Sequence, residues 1–451
     1  MAERLPRASL LEGIRFTALV AAPQLIQGLF RRRRRAVAVA NRANLDKHGI
    51  GFVAGMRHSH GPGPVWVRVA REQSLLLLER DHIRRALEGS PEPFAADPET
   101  KRQGMAHFQP HALTISRGGL WQDRRRFTEA VLDSGQPQHR LADRFAAAVG
   151  EEAAALLAEV QRTEGGELGW DQFHHALGRI TRRVVLGDGA GDDEETSELL
   201  AELMDEANGL PKQRSDQLDS LMARMSDHVS SAEPGSLVSL FAEAPSTPRT
   251  RVEGQIPHWM FAMHDTLAAN AIRALALIAN HPRQRSAVET ELAAAGDAGL
   301  DSAEGVGGLA YLEACLQEAM RLWPTTALLS RETLVETEWG GEPVPAGSQL
   351  LIHNTSNHRN PDLHDFADRF APEAWTDGDA GADWAFNHFS HGPQGCPGAG
   401  LALFVGKALL ANLLGRQRMR LLSPQLDPER PLPHMLDFFG IRFELSAGAG
   451  R

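Results

Sequence analysis

The feature that most constrains this chain is a loop near its C-terminal end. Residues 389–400 read Phe-Ser-His-Gly-Pro-Gln-Gly-Cys-Pro-Gly-Ala-Gly and carry Cys396, one of two cysteines in the sequence. The apolar residues that follow recur at helical spacing, so we predict a helix over residues 401–416. A glycine-rich loop that enters a helix N-terminus directs backbone N–H groups at the sulfur. We therefore expect this loop to lower the pKa of the thiol and to hold a thiolate.

A thiolate in such a loop is a good axial ligand for haem iron. The spacing Phe389-x-x-Gly392-x-x-x-Cys396-x-Gly398 resembles the haem-binding loop of the cytochrome P450 family, in its soluble bacterial type. The resemblance implies haem b as cofactor, Cys396 as the metal ligand and Phe389 packed against the sulfur. It also implies glycines that let the loop lie close under the macrocycle. From the residues alone, a buried cysteine in a turn remains the alternative.

Composition favours a mainly α fold with small β-sheets, because alanine and leucine are abundant and aromatic residues make up 6%. The 451 residues, 42% of them hydrophobic, can bury a large core. Without a convincing linker, we expect a leading helix and basic run over residues 1–40 and one haem-binding P450-like domain over residues 41–451. The net charge of −11 argues against a nucleic-acid partner. Two cysteines, Cys315 and Cys396, fit a reducing cytoplasm.

Residues 17–30 form an apolar run that ends in five consecutive arginines. Fourteen residues interrupted by Pro23 and two glutamines are too short to cross a bilayer core of ~30 Å. A signal peptide would place the positive charge before the apolar run, whereas here most of it follows the run, so we do not expect a signal peptide. Two interpretations stay open: a helix docked on the domain, or weak contact of residues 17–35 with an anionic membrane surface. We expect a cytoplasmic protein, with peripheral membrane contact as the alternative.

A second long apolar helix is predicted for residues 257–280, about 36 Å at the usual rise per residue. Asp265 and Thr266 lie in its middle, where a carboxylate and a hydroxyl are costly without a partner or a task. The segment Ala-Met-His-Asp-Thr resembles the oxygen-activation motif of the family, which implies that Asp265 and Thr266 are catalytic. Met263 stands where that motif has glycine. From the residues alone, Asp265 could instead form a salt bridge at a helix edge.

Trp121 and Arg125 are four residues apart and share one face of a predicted helix. An indole N–H and a guanidinium are suitable donors for a buried carboxylate. The resemblance implies that these two residues and Arg331 bind the haem propionates. It also places Gln394 where the family has a charged histidine or arginine. An ordinary basic helix face is the alternative for Trp121 and Arg125.

Glu318 and Arg321 lie three residues apart and resemble the structural Glu-Arg pair of the family. The arginine that usually completes this pair is replaced, because the segment reads Pro372-Glu373-Ala374-Trp375. We expect backbone carbonyls or Arg369 to satisfy the pair.

Together these motifs imply a haem-thiolate monooxygenase that inserts one oxygen atom from O2 into a small or medium-sized apolar organic substrate, in specialised metabolism. Ferredoxin and ferredoxin reductase would supply electrons, docking at a basic patch of Lys407, Arg416 and residues 124–126. One alternative is a peroxide-driven or redox-neutral haem-thiolate enzyme, against which Asp265 and Thr266 argue. Another is a non-catalytic haem-based sensor.

Overall fold

The predicted long apolar helix lies at the centre of the fold. In the computed structural model, which describes residues 4–70, 72–163, 165–211, 213–296 and 299–447, residues 256–280 are helical throughout. Within Leu267–Asn280, all residues except Arg273 and Asn280 are buried. A helix that is apolar on almost every side is expected in a protein core, and this helix lies in the core.

The fold is mainly α with small β-sheets, as the composition predicts. The described helices are α1 (Leu10–Phe16), α2 (Ala22–Gln27), α3 (Arg34–Arg42), α4 (Leu45–His60), α5 (Arg80–Glu88), α6 (Glu99–Ala106), α7 (Gly118–Val131), α8 (Ala142–Arg162), α9 (Trp170–Leu186), α10 (Glu194–Ala207), α11 (Gln217–Ser231), α12 (Ile256–Phe261), α13 (Leu267–Asn280), α14 (Pro282–Ala295), α15 (Ala303–Gly307), α16 (Ala310–Leu322), α17 (Asn354–His358), α18 (Glu373–Thr376) and α19 (Ala399–Arg416). Two π-helical turns, Thr17–Ala21 and Ala262–Thr266, join α1 to α2 and α12 to α13.

The described strands form three sheets. They are β1 (Val65–Val69), β2 (Glu72–Leu76), β3 (Phe94–Ala95), β4 (Glu167–Gly169), β5 (Leu328–Thr333), β6 (Thr337–Trp339), β7 (Glu342–Val344), β8 (Gln349–His353), β9 (Gln417–Ser423) and β10 (Arg442–Ala447). The largest sheet has the order β1-β2-β8-β5-β3, in which β2 and β8 are parallel and the other neighbours are antiparallel. A sheet of order β4-β10-β9 and the hairpin β6-β7 complete the set.

The core lies where α8, α9, α13, α16 and α19 pack on one another. Helix α19, with a mean hydropathy of 1.3, is long and apolar enough by length and composition to cross a membrane. It is 61% buried inside the protein, as expected of a core helix. Gly406 of α19 lies against Leu267, the residue after Thr266. This packing places the helix that follows the cysteine loop beside the helix that carries the acid and the alcohol.

The N-terminal segment packs along the domain with one face and leaves another exposed. Its helical stretch begins at Leu10, before the apolar run of residues 17–30, and buries Phe16 and Val20. Leu11 and Ile26 remain 64% and 61% exposed.

Three of the five arginines that follow are bound to the protein. Arg31 pairs with Asp205, Arg34 pairs with Asp171, and Arg32 donates to the Thr325 carbonyl at 3.1 Å. A contact with a membrane surface can therefore draw on the exposed apolar face but on few free charges.

The pair of Glu318 and Arg321 is fully buried, with Arg321 Nη2 2.9 Å from Glu318 Oε1. Arg321 also donates to the carbonyls of residues 358, 367 and 369. Of the two expected solutions, the structure uses backbone carbonyls and not the Arg369 guanidinium. The sequence did not predict that Trp375 Nε1 donates to Glu318 Oε2 at 3.0 Å, which supplies a donor in place of the missing arginine.

Candidate active site

A cavity of about 1070 Å³ lies between α7, the π-turn Ala262–Thr266, β5 and the cysteine loop. It brings together all but one of the predicted site residues. Those that line it are Trp121, Arg125, Asp265, Thr266, Arg331, Phe389, Gln394, Cys396 and Gly398.

The exception is Gly392, which lies on the side of the cysteine loop that faces α5 and has a φ of 70°. A Cβ at this position would lie 2.5 Å from the Leu87 carbonyl oxygen of α5. This glycine therefore permits the loop to pack against α5, a reason that the sequence did not give.

Backbone hydrogen bonds and one arginine hold the cysteine loop in place. The Cys396 N–H donates to the Phe389 carbonyl at 2.8 Å, and the Gly395 N–H donates to the Gly392 carbonyl at 2.9 Å. Arg125 Nη1 donates to the Gly395 carbonyl at 2.6 Å and ties the loop to α7. The thiol of Cys396 thus has a fixed position on the cavity wall.

The predicted effect of the loop on the thiol was wrong in direction. Cys396 is open to the cavity, but desolvation by the surrounding protein raises the pKa of its thiol above the ordinary value, although the backbone N–H of Gly398 and the charge of Arg125 both act to lower it. The sequence reveals the donors but not the depth of the site. A thiolate at this position needs a metal cation, which deprotonates a coordinated thiol.

The π-turn Ala262–Thr266 widens the central helix where it passes the cavity. Met263 stands in this turn in place of the expected glycine, is buried, and lines the cavity. Local π-turns of this kind are frequent at functional sites. The local opening that glycine would favour is thus present despite the methionine.

His174 of α9 is a partner of Asp265 that sequence reasoning missed. His174 Nε2 lies 3.0 Å from Asp265 Oδ1. Burial raises the pKa of Asp265, but the hydrogen bond from His174 and the neighbouring charges outweigh it, so the pKa is lowered overall. Asp265 therefore has a hydrogen-bonding partner on a neighbouring helix, close to the alternative interpretation, and also lines the cavity.

The His174 ring stacks on His264, with 4.0 Å between centroids and 22° between planes. The ligand atoms of His174, His264 and Asp265 all lie within 4.8 Å of one another. The His264 Nε2 lies 3.1 Å from the His174 carbonyl oxygen, which only accepts hydrogen bonds, so this nitrogen carries a proton and is not free to bind a metal. The group is therefore arranged for hydrogen bonding and not for metal binding.

Two cations lie beside the cysteine loop, Arg331, which is buried, and Lys101, which is half-buried. Arg331 donates to Ser90 Oγ at 2.8 Å and Ser390 Oγ at 3.1 Å. Lys101, which the sequence did not single out, donates to the Ala96 carbonyl and to Thr114 Oγ1, both at 2.9 Å. Burial, with the nearby charge of Arg331, lowers the pKa of Lys101 to about 8.

Neither Arg331 nor Lys101 forms an ion pair with any residue that the structure describes. The Oε1 atom of Gln394 is also buried without a hydrogen-bond partner among the described residues. Uncompensated buried charge is costly, so this part of the cavity is suited to an anionic ligand.

The prediction that Lys407, Arg416 and residues 124–126 form a basic docking patch was partly wrong. Arg124 is buried and donates to Ser116 Oγ at 2.7 Å, and Lys407 is buried in an ion pair with Glu313 at 2.8 Å. Arg126 and Arg416 are exposed, with 68% and 42% of their side-chain surface accessible.

The cavity has a cysteine loop on one wall and an acid and an alcohol on a widened central helix, with the cations Arg331 and Lys101 at its edge. These are features of a haem-thiolate protein. A family model described as Cytochrome P450 matches residues 195–439, more than half of the chain. The chain therefore belongs to the cytochrome P450 family, and its cofactor is haem b.

The chain is 31% identical to cyclooctat-9-en-7-ol 5-monooxygenase from Streptomyces melanosporofaciens over 200 residues, which cover 42% of this chain and 43% of that protein. It is 28% identical to cytochrome P450 4c3 from Drosophila melanogaster over 181 residues, 39% of this chain and 34% of that protein. The chain thus covers less than half the length of either relative.

Two solved structures share the fold. Retinoic acid bound cyanobacterial CYP120A1 superposes with a TM-score of 0.71 at 19% identity, covering 87% of this chain and 93% of that chain. A zebra fish cytochrome P450 with abiraterone also gives a TM-score of 0.71, at 18% identity, covering 88% and 99%.

The residues of this chain fit haem b. The Cys396 thiol is available to the iron on the cavity wall. The unpaired cations Arg331 and Lys101 lie where a ligand with carboxylates would neutralise them. Trp121 and Arg125 line the same cavity from α7, as the family resemblance implied.

Proposed function

We propose that the protein is a haem-thiolate monooxygenase that inserts one oxygen atom from O2 into a small or medium-sized organic substrate with a largely apolar body, in specialised metabolism. When haem is bound, its iron activates dioxygen, and thiolate ligation by Cys396 favours O–O cleavage. The observation that supports this proposal is that one cavity is lined by Cys396 and by the pair Asp265 and Thr266.

The cations at the cavity edge have the task of holding the cofactor. Arg125, Arg331 and Lys101 supply positive charge to the propionates, and Trp121 supplies an indole N–H. Charge-assisted hydrogen bonds of this kind are stronger than neutral ones. The neutral Gln394 contributes a hydrogen bond without charge, which leaves more of the anchoring to the three cations.

Asp265 and Thr266 have the task of delivering protons. His174 contacts Asp265 on the side of α9, and Asp265 and Thr266 line the cavity. We infer that protons pass from His174 to the Asp265 carboxylate and then to the Thr266 hydroxyl. In the overall reaction one oxygen atom enters the substrate and the other leaves as water, which consumes two protons and two electrons. Positioned acids of this type typically contribute 10²–10⁴-fold to rate.

Electrons would come from ferredoxin and ferredoxin reductase. Arg126 and Arg416 are exposed and could contact an acidic ferredoxin, although each lies within 4 Å of a carboxylate, Asp123 and Asp301. Arg124 and Lys407 are buried and could not. Complementary charge of this kind mainly increases the rate of association.

The proposed location is the cytoplasm, with weak contact of residues 17–35 with anionic membranes. Leu25, Ile26 and Leu29 are 46%, 61% and 40% exposed on this segment. Flotation with anionic vesicles should be lost in the Ile26→Ser, Leu29→Ser double variant and kept in Val335→Ser, which alters a remote exposed valine. Equal flotation of all three proteins, or none by the unaltered protein, would contradict the contact.

Turnover under isotopically labelled O2, with reductant, ferredoxin and ferredoxin reductase, tests the activity. One labelled atom should appear in the product and one in water, and the Asp265→Asn variant should be slow. Peroxide-driven turnover that is insensitive to Asp265→Asn would support the peroxide alternative. Ligand-dependent binding of a partner protein without any turnover would support a sensor.

A further inference from the structure

A second set of cations lies in the cavity, away from the cysteine loop. Arg32 and Arg273 both line it, and both are held by the short segment that follows α16. Arg32 Nη2 donates to the Thr325 carbonyl and Arg273 Nη1 donates to the Trp323 carbonyl, each at 3.1 Å. Arg273 Nη2 also donates to the Leu436 carbonyl at 2.9 Å. The two guanidinium groups are therefore neighbours in a fixed arrangement.

Neither guanidinium is in direct contact with a charged partner in the part of the chain that the structure describes. Arg32 donates to the Gln24 amide oxygen and the Thr325 carbonyl, and Arg273 donates to two carbonyls. These bonds use three of the five N–H donors of each group and leave two on each. Among the described residues, no carboxylate forms an ion pair with either arginine. Desolvation by the surrounding protein lowers the pKa of Arg32 and lowers that of Arg273 to about 9, although both side chains keep some surface open to the cavity.

The neighbouring carboxylates do not resolve this deficit by contact. The charge of Asp46 acts on both Arg32 and Arg273, and that of Asp437 acts on Arg273, but neither carboxylate forms an ion pair with these arginines. Two further arginines nearby, Arg34 and Arg359, are already paired with Asp171 and Asp368. Arg32 and Arg273 thus keep free donors and form no ion pair with any described residue.

These arginines are separate from the haem anchors. Arg273 is influenced by Arg32, Asp46 and Asp437, and not by Arg331 or Lys101. Apolar side chains line the same cavity, among them Phe261, Met263, Leu328 and Phe438. The cavity therefore has an apolar middle and a cationic end distinct from the cysteine loop.

We propose that Arg32 and Arg273 bind the carboxylate of an amphiphilic substrate whose apolar body extends along the cavity toward Thr266. Four free donors on two adjacent guanidiniums match the two oxygens of a carboxylate. This inference rests on the proposed function and deepens it, because it adds an acidic end to the apolar substrate.

Binding of a matched acid and ester to the haem-loaded protein tests the proposal. We would titrate dodecanoic acid and methyl dodecanoate by calorimetry at neutral pH, where the acid is ionised. The acid should bind about 10- to 100-fold more tightly than the ester, the range expected for hydrogen bonds to a charged group. Arg273→Gln should abolish this preference, and Arg273→Lys should keep part of it. Arg430→Gln, at an arginine that is 82% exposed, should leave it unchanged.

Equal affinity for acid and ester, no binding of the acid, or an equal loss of both ligands in Arg273→Gln would overturn the proposal. The Cys396→Ser variant separates it from the proposed activity. Persistence of the acid preference in that variant, or in a wild-type protein that never turns over, supports the arginine site even where the monooxygenase proposal fails. Conversely, turnover of uncharged substrates by a protein that shows no acid preference would support the monooxygenase proposal and overturn the arginine site.

Discussion

Replacing Trp375 by phenylalanine tests how the buried pair of Glu318 and Arg321 is completed. Both charged side chains are 0% exposed, and the Trp375 indole N–H lies 3.0 Å from Glu318 Oε2. A hydrogen bond to a charged group contributes about 1.5–3 kcal/mol, so its loss should lower the free energy of unfolding by that amount. Phenylalanine can keep the ring contact with Phe386, whose centroid is 5.8 Å away.

Trp384→Phe is the matched control, because it removes the same atoms from an indole whose N–H donates to no described residue. Its ring contacts His391 and the Arg84 guanidinium. Equilibrium urea unfolding of the haem-loaded proteins, followed by circular dichroism and by haem absorption, gives both losses. If Trp375→Phe costs no more than Trp384→Phe, then Arg321 and the Ala371 N–H, 2.8 Å from the carboxylate, satisfy Glu318 without Trp375.

Three further predictions follow from the site. Asp265→Asn should slow turnover by O2 and reductant about 10²–10⁴-fold while leaving haem content unchanged, and an unchanged rate would contradict the proton role. Lys101→Met should weaken haem retention about tenfold in transfer to an acceptor protein, and Lys47→Met should not; equal retention would remove Lys101 from the cofactor site. Burial raises the pKa of Asp46 from 3.8 to about 6 in the folded protein. The folded protein therefore holds this proton more tightly than the unfolded chain, and the resulting stability is lost as the pH rises from 3.8 through about 6. Between pH of about 4 and about 7, the free energy of unfolding of the wild type, measured in urea, should fall by up to about 3 kcal/mol relative to that of Asp46→Asn. Parallel pH profiles of the two proteins would refute the raised pKa.

The elements with strong local patterns could be predicted from sequence. The apolar helices around Asp265 and after Cys396 are long and periodic, and their predicted bounds differ from the observed ones by one or two residues. Proline and glycine marked the loop that carries Cys396. These signals are local, so no knowledge of the packing was needed.

The parts that were missed depend on contacts between distant segments. His174 meets Asp265 across 91 residues of sequence, and Arg32 meets Thr325 across 293. Burial is equally invisible in a single sequence, which explains the wrong direction for the Cys396 pKa and the wrong exposure of Lys407. The sequence does not distinguish an exposed lysine or arginine from a buried one, because only the packing of distant segments determines its exposure.

The central claim is that the Cys396 sulfur is the axial ligand of haem iron, and the ferrous–CO absorption spectrum tests it most directly. Cys315, the other free cysteine of the sequence, is buried in the core and provides the control. We expect Cys396→Ser to lose the wild-type ferrous–CO spectrum and Cys315→Ser to keep it. An unchanged spectrum in Cys396→Ser would contradict the account, because the ligand would then lie elsewhere.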